Sequence, residues 1–538
     1  MSMFGKDLGV VVRLFTTVVA LRCYLELQSE GQTVGLVPTM GALHAGHLSL
    51  IERARATNDI VVVSIFVNPL QFGPNEDLQR YPRRLEGDRL LCEQAGVDVI
   101  FAPTPEEMGI GEGTEHSVTQ VVPPESMMSG LCGRSRPGHF QGVATIVTKL
   151  FNVVQPDRAY FGRKDAQQLA ILQRMVGDLN LPVEIVPCEI VREPSGLAMS
   201  SRNQYLSEEE KTRASVLYRS LQKAQKVFLR GEVTRQVIIA AVQAEVRLEP
   251  DLNLEYCELV EPTSLKPIEQ IESAGLVAIA AKIGNTRLID NIILKDRKPI
   301  VAIDGPAGAG KSTVARRVAK QLGLMYLDTG AMYRAITWLV QEKGIAFDDE
   351  PAIAEVVSRA TIELIETSED PAIPTQVYVD GFNVTEAIRT QAVTANVSQV
   401  SSLKSVRLHL VKQQQQFGER GGVVAEGRDI GTHVFPDAEL KIFLTASVGE
   451  RARRRQQDLT NVGEEGITLE QLEGQIALRD RLDSTRQISP LTKAANAIEI
   501  DTDHRTIDEV IGEIVKHYAT IVSAKFEESA EGIGRIID

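Results

Sequence analysis

Residues 305–312 read Gly-Pro-Ala-Gly-Ala-Gly-Lys-Ser. Gly305, Gly308 and Gly310 keep side chains clear, so the backbone N–H groups of this segment, with Ala309 and Thr313, can surround a β/γ-phosphate; Lys311 and the Ser312 hydroxyl then reach that phosphate and its Mg²⁺. The apolar run 300–303 precedes the segment and a helical pattern at 313–322 follows, the strand–loop–helix setting such a loop requires. A second nucleotide signature lies far upstream: Pro38-Thr39-Met40-Gly41, then His44-Ala45-Gly46-His47. Attack on an α-phosphate builds negative charge on the phosphorus oxygens and on departing pyrophosphate, so it needs fixed donors. His44 and His47 supply ring N–H groups, and the next helix adds backbone N–H groups and its dipole. Together the two patterns predict two ATP-using sites on one chain.

Four further segments occupy the first half: Asn68-Pro69-Leu70-Gln71-Phe72, Arg136-Pro137-Gly138-His139-Phe140, Gly162-Arg163-Lys164-Asp165 with Gln167-Gln168, and Met199-Ser200-Ser201-Arg202-Asn203. In this order they closely resemble pantothenate synthetase, the pantoate:β-alanine ligase, over residues 10–294. The resemblance implies formation of pantoyl-adenylate from ATP, then attack by the β-alanine amine to give pantothenate and AMP. It implies an ATP site formed by Met40, Gly41, Ala42, Leu43, His44, Ala45, Gly46 and His47, completed by Gly162, Arg163, Lys164, Asp165, Val191, Met199, Ser200, Ser201 and Arg202. His47 would be the proton donor, with His44 beside it, and Lys164 and Arg202 would steady phosphate charge. Gln71 would contact pantoate and β-alanine, and Gln168 pantoate; neutral amides orient a hydroxy acid without neutralising the carboxylate that must attack. Taken alone, Ser200-Ser201-Arg202 also reads as a cap for the helix rich in Glu208-Glu209-Glu210. The chain departs from the family pattern at Met108-Gly109-Ile110-Gly111, where Tyr-Pro is common, and at Arg163, where an acidic residue is common.

Beyond the phosphate loop there is no Asn-Lys-x-Asp guanine motif, and no clear apolar strand ending in an aspartate with a following switch glycine. Instead, arginines cluster at Arg428, Arg451, Arg453, Arg454, Arg455, Arg479 and Arg486. Phosphoryl transfer between two nucleotides brings several phosphate charges together and needs such guanidiniums. Asp328-Thr329-Gly330-Ala331-Met332-Tyr333-Arg334, Glu426-Gly427-Arg428-Asp429-Ile430-Gly431-Thr432 and residues 479–486 strongly resemble cytidylate kinase across residues 298 to about 520. That resemblance implies γ-phosphoryl transfer from ATP, with Mg²⁺, to CMP or dCMP, with Lys311 catalytic and Ser312 on the metal. Ser398, Arg407 and Asp429 would read cytosine, Arg479 and Asp483 the sugar, and Thr329, Arg334, Arg428 and Arg486 the acceptor phosphate. Residues 345–395 would be an acceptor-side insertion and residues 447–458 a closing lid; adjacent helical arginines at 451–455 cannot all point inward, so some belong to a solvated face. Two rivals stand: another adenylate-forming nucleotidyltransferase, such as an aminoacyl-tRNA synthetase relative, for the first half, and a non-catalytic nucleotide switch for the second.

These residues need rigid elements beneath them. The first half alternates continuous apolar strands (34–37, 59–67, 97–101, 158–161, 183–186) with helices (47–56, 84–94, 142–154, 166–179), as a parallel sheet covered on both faces requires. Residues 10–21 read as a short strand, a Thr16/Thr17 cap and a first helix rather than a signal peptide, since Arg13 interrupts them and no cleavage pattern follows. From residue 207 the pattern becomes helices (208–230, 235–248) and then shorter strands. The fold class expected is α/β, in three parts. A Rossmann-like nucleotidyltransferase sheet occupies 1–190 and a small α+β domain 191–294; after a charged joint at 295–298 comes a P-loop nucleoside monophosphate kinase domain, 298–538, with insertion and lid. Gln413 to Gln416 is the sole low-complexity run and reads as a solvated face. A 43% apolar content over 538 residues suffices for several cores, and a net charge of −14 argues against a nucleic-acid partner. No stretch is apolar enough for a membrane span. The five cysteines, odd in number and widely spaced, predict buried thiols in a reducing compartment, hence a cytoplasmic protein; the two resemblances imply small-molecule substrates. The ligase resemblance suggests a homodimer through the first half.

Overall fold

The computed structural model describes residues 12–73, 76–111, 118–295, 297–366, 375–461, 467–485 and 489–530. The chain forms two compact units, Met1–Asp296 and Arg297–Asp538. Among the described residues no helix is long and apolar enough to cross a membrane.

In the first unit six parallel strands stand in the order Arg13–Phe15, Val99–Phe101, Ile60–Ile65, Val34–Thr39, Arg158–Gly162, Glu184–Cys188. Their apolar runs are continuous because both faces are covered: Leu36, Val62 and Phe101 enter one core, while Val37, Val61, Val63 and Ile100 enter the other. Strand order reverses between Val34–Thr39 and Arg158–Gly162, and in such sheets a crevice opens at the carboxyl ends of the strands at that point. Residues 40–47 and 162–165 leave the sheet there. Thr17 caps the first helix, Val18–Gln28, by accepting the Ala20 N–H at 3.4 Å.

Two expectations for residues 207–295 need correction. The helix over 208–230 is divided into Glu208–Ala214 and Val216–Leu229 at Ser215, whose N–H is shared between the Lys211 and Thr212 carbonyls (3.2 and 3.3 Å) while its Oγ donates to Thr212 at 2.6 Å. The strands are long, not short: Leu252–Val260, Ala274–Ile283 and Thr286–Lys295 form an antiparallel meander. Val277, Ile279 and Ala281 pack with the helices Val216–Leu229 and Arg235–Val246, while Leu276 and Ala278 share a core with Phe140 of the helix His139–Val154 and Ile171 of the helix Ala166–Asp178. Burial on both faces removes the polar alternation that marks an antiparallel strand, and that hid their length.

The second unit is a five-stranded parallel sheet, Met325–Asp328, Val423–Gly427, Val301–Asp304, Leu440–Thr445, Ile498–Asp501, with the helix Lys311–Leu322 directly after the phosphate loop. The insertion contributes the helices Glu350–Arg359 and Gln391–Val400 and an antiparallel sheet of Ile362–Glu366, Thr375–Val379 and Phe382–Asn383. Among the described residues it has no separate core: Ile353, Val357, Val377 and Val379 join Ile300, Leu327 and Ile336. The glutamine run is not simply solvated. Gln414 is buried, and Gln413 Nε2 donates to the Ala360 carbonyl at 2.9 Å, because the helix Lys404–Gly418 turns these positions toward the insertion.

The charged joint is shorter than its sequence. Lys295 ends a paired strand, Arg297 ion-pairs Glu439 at 3.2 Å and Lys298 bridges Gly421. All five thiols are free, but Cys23 is exposed rather than buried, on the same outer helix face as Val19 and Leu27.

Candidate functional sites

The first cleft lies at the reversal point and is lined by Met40, His44, Gly46, His47, Gln71, Gly162, Lys164, Asp165, Gln168, Val191, Met199, Ser200, Ser201 and Arg202. Most of the residues singled out in the first half are therefore brought together. Gly41, Ala42, Leu43, Ala45 and Arg163 are not among the lining residues. Gly41 and Ala42 take φ of +81° and +51°, and the turn is held by Asp88, which is 2% exposed and accepts the N–H groups of Ala42 (2.9 Å) and Leu43 (2.8 Å). A side chain at Gly41 would stand 3.0 Å from that carboxylate. Arg163 pairs with Glu189 at 3.0 Å, so the charge that departs from the family pattern is compensated locally. The segment 108–111 is also anchored, through buried Met108 and Ile110.

The histidines have a fixed tautomer. His44 caps the helix Ala45–Thr57, its Nδ1 accepting the Gly46 N–H at 3.1 Å, and His47 Nδ1 accepts the His44 N–H at 3.3 Å. Neutral imidazole carries one proton, so each presents Nε2–H as a donor. Burial, then Lys164, pulls His44 down to about 4; burial, then His44 and Lys164, pulls His47 down to about 3. Both rings are thereby neutral donors at neutral pH, and an anion beside them would favour the protonated form that a proton-donor role for His47 requires.

Adjacent glutamines divide their work. Gln167 is buried and ties residues 127–132 together, donating to the Met127 and Gly130 carbonyls (2.8 and 3.0 Å) and accepting from Cys132 N–H (2.9 Å); Gln168 lines the cleft. Gln71 Oε1 accepts from Asn68 Nδ2 at 3.1 Å. Ser200 caps the turn Ser201–Tyr205, whereas the helix Glu208–Ala214 is capped by Ser207 with Glu210. The capping role read for residues 200–202 thus belongs to Ser207.

Several groups here escaped the sequence reading. Arg202 is held by both oxygens of Asp77 (3.0 and 2.8 Å), and Arg136 by both oxygens of Glu76 (2.6 Å each). His139 links Arg136, which donates to its Nε2 at 3.0 Å, to the Gln71 carbonyl, which accepts from Nδ1–H at 2.7 Å; burial, then Arg136, brings it down to about 4. The motif 136–140 signalled Arg136 and His139, but nothing local pointed to Glu76 or Asp77.

In the second unit, Gly305, Gly308 and Gly310 have φ of +147°, +79° and +85°, and a Cβ on Gly305 would meet the Leu444 carbonyl oxygen at 2.1 Å. Only glycine fits that cradle. Ala309 is buried beneath it, and Thr313 follows in the first turn of the helix Lys311–Leu322. Lys311 is 6% exposed and donates to the Pro306 carbonyl at 2.7 Å; burial, then Arg428, pulls its ammonium well below the usual lysine range. The Ser312 hydroxyl donates to Glu426 Oε2 at 2.9 Å, the Tyr326 hydroxyl to Glu426 Oε1, and burial, then Asp328, pushes the Glu426 carboxyl up. The carboxylate beside Ser312 is therefore Glu426, near the end of Val423–Gly427, which the sequence reading quoted without giving it a role because only an aspartate was sought. The run Val423-Val424-Ala425 before it was the available signal.

The residues expected to hold the acceptor divide into pairs. Arg407, 2% exposed, pairs with Asp429, donates to the Ser401 carbonyl at 3.2 Å and lies over the Tyr333 ring. Arg428 pairs with Asp483 at 2.9 Å, Arg334 with Asp328 at 3.2 Å, and Thr329 Oγ1 donates to the Glu426 carbonyl at 2.6 Å. Burial, then Arg428, lowers the Arg479 guanidinium, with Arg334 and Arg455 adding to the effect: a convergence of like charge that an anion would relieve. Ser398 is exposed on the helix Gln391–Val400, and Arg486 lies outside the described residues. The arginines expected in a lid separate as helix geometry demands. Arg451 is buried, bound to Asp480 and to the Ala307 carbonyl of the phosphate loop at 3.1 Å; Arg454 donates to the Thr502 carbonyl, and Arg453 and Arg455 are exposed.

Comparison with known proteins follows the same division. The family model for pantoate-β-alanine ligase matches residues 13–293 and that for cytidylate kinase residues 301–520. A bifunctional pantoate ligase/cytidylate kinase of Trichormus variabilis is 61% identical over 528 residues, covering 94% of this chain and 99% of that protein; one of Synechocystis sp. is 57% identical over 511 residues, with the same coverage. The crystal structure of pantoate-β-alanine ligase from Thermus thermophilus matches with a TM-score of 0.50 and 47% identity, over 52% of this chain and 99% of that one.

Proposed function

The chain belongs to the bifunctional pantoate ligase/cytidylate kinase family, and we propose that the cleft at His44–His47 and the cradle at Lys311 are its two separate ATP sites. The enzyme condenses pantoate with β-alanine through pantoyl-adenylate, releasing AMP and pyrophosphate, and transfers the γ-phosphate of ATP to CMP or dCMP.

In the ligase, the neutral Nε2–H donors of His44 and His47 face the phosphates with Lys164, where charge develops as the pantoate carboxylate attacks the α-phosphorus. Gln71 and Gln168 orient the hydroxy acid, and the apolar wall of Val143, Ile146 and Val147 receives its geminal methyl groups. β-Alanine then attacks the acyl carbon and AMP leaves. Arg202 exchanges Asp77 for phosphate oxygen.

In the kinase, the glycine cradle and Lys311 hold the donor phosphates. The oxygen donors Ser312 and Glu426 suit Mg²⁺, which when bound neutralises phosphate charge. Arg334, Arg428 and Arg479 receive the CMP phosphate and ribose, and Arg407 with Asp429 and Ser398 read the base. The observation that carries the assignment is this pairing of one phosphate cradle with one distinct acceptor set in each unit. The free thiols accord with a cytoplasmic enzyme, and a dimer through the ligase half follows from family likeness.

Exchange of single residues tests the assignment. His47→Ala should lower pantothenate formation about 10²–10³-fold, the usual cost of one lost charge-stabilising donor, and leave CMP phosphorylation intact; Lys311→Ala should do the reverse. Loss of both activities from either change, in protein that melts like the parent, would refute separate sites.

A further inference from the structure

Asp304 ends the strand Val301–Asp304 and immediately precedes Gly305 of the phosphate loop. Its carboxylate is 4% exposed, and both oxygens reach across the strand ends: Oδ1 accepts the Ile430 N–H at 2.8 Å and Oδ2 the Gly431 N–H at 2.7 Å. Those N–H groups belong to the turn directly after Arg428 and Asp429, and strand register places Asp304 beside Gly427. A buried carboxylate is unfavourable unless well-aimed donors satisfy it, and the phosphate-loop pattern itself demands no acid here. Close approach is secured from the other side as well. A Cβ on Gly431 would stand 3.3 Å from Asp304 Oδ2 and 3.2 Å from Lys441 Cδ.

We infer that Asp304 is a positioning residue for the acceptor nucleotide: it fastens the strand end that carries the donor-phosphate loop to the turn that presents Arg428 and Asp429, so that donor and acceptor phosphates keep one spacing. In-line transfer between two bound nucleotides is sensitive to that spacing, since misplacement by about 1 Å costs rate steeply. A carboxylate suits the task because it accepts two adjacent N–H groups at once; an amide offers one acceptor and turns a donor toward the second N–H. The inference rests on the assignment of Arg428 and Asp429 to CMP.

Steady-state kinetics on the full-length enzyme, varying CMP and ATP independently, test it. Asp304→Asn should raise KM for CMP about tenfold or more and lower kcat, while KM for ATP stays within about twofold. Gly431→Ala keeps the acid but crowds it, and should shift the same parameter in the same direction. Should Asp304→Asn not fold, Gly431→Ala decides by the same split. Equal rises in both KM values would show support of the phosphate loop alone and overturn the inference, as would an unchanged KM for CMP. Arg428→Ala is the control. If it leaves KM for CMP unchanged, the acceptor assignment fails; if it raises KM while the Asp304 and Gly431 variants do not, only the positioning role fails.

Discussion

Burial sets the protonation of the ligase cleft, and the direction has a measurable consequence. His44, His47 and His139 are all brought below the ordinary histidine value, to about 4, 3 and 4. A histidine depressed in the folded state takes up protons more readily when unfolded, so its contribution is intact above the unfolded value of 6.5 and is lost as pH falls from there through the folded values. For His139, a drop from 6.5 to about 4 corresponds to about 3 kcal/mol. The ligase unit should therefore melt at progressively lower temperature between pH 6.5 and 4, and His139→Gln should flatten that dependence; a melting temperature independent of pH over this range would contradict histidines held neutral by burial. At this scale the sequence was only partly legible. His44, His47 and Lys311 sit in motifs whose chemistry can be read directly, whereas Gln167 and Gln168 are chemically identical and only the helix phase makes one a strut and the other a cleft residue. Asp77 and Glu76 hold arginines 125 and 60 residues away in sequence, which no local pattern announces.

Elements position these groups through buried polar fasteners. Asp88, on the helix Leu85–Gln94, holds the left-handed turn at Gly41 and Ala42 that aims His44 into the cleft. Removing its carboxylate in Asp88→Ala would leave two N–H donors without their partner and cost about 2–4 kcal/mol. Because the fastener holds the loop proposed to bind ATP, the variant should also raise KM for ATP in the ligase reaction without altering CMP phosphorylation; thermal melts with parallel assays of both reactions measure this, and unchanged ligase kinetics would count against it. The parallel strands and most helices were legible because a strand covered on both faces writes a continuous apolar run and the helices keep their period. The same double covering obscured the antiparallel meander, and the division at Ser215 depends on a hydroxyl competing for a backbone carbonyl, which residue type alone does not reveal.

On the scale of the whole molecule, each unit has its own parallel sheet and its own cores, and each carries one of the two proposed nucleotide sites. The division was visible in the order of the motifs. The shortness of the joint was not, since Arg297 and Lys298 look like linker residues until Glu439 and Gly421 are found opposite them. Two ATP sites of different chemistry make one claim above all: the same nucleotide is cut at its α-phosphorus in one reaction and its γ-phosphorus in the other, without interference. Product analysis with α- and γ-labelled ATP at saturation, with pantoate, β-alanine and CMP added singly and together, measures it directly. The account predicts AMP equal to pantothenate, ADP equal to CDP, and each yield unchanged by the other reaction's substrates; CMP suppressing AMP formation, or pantothenate appearing with ADP, would contradict it.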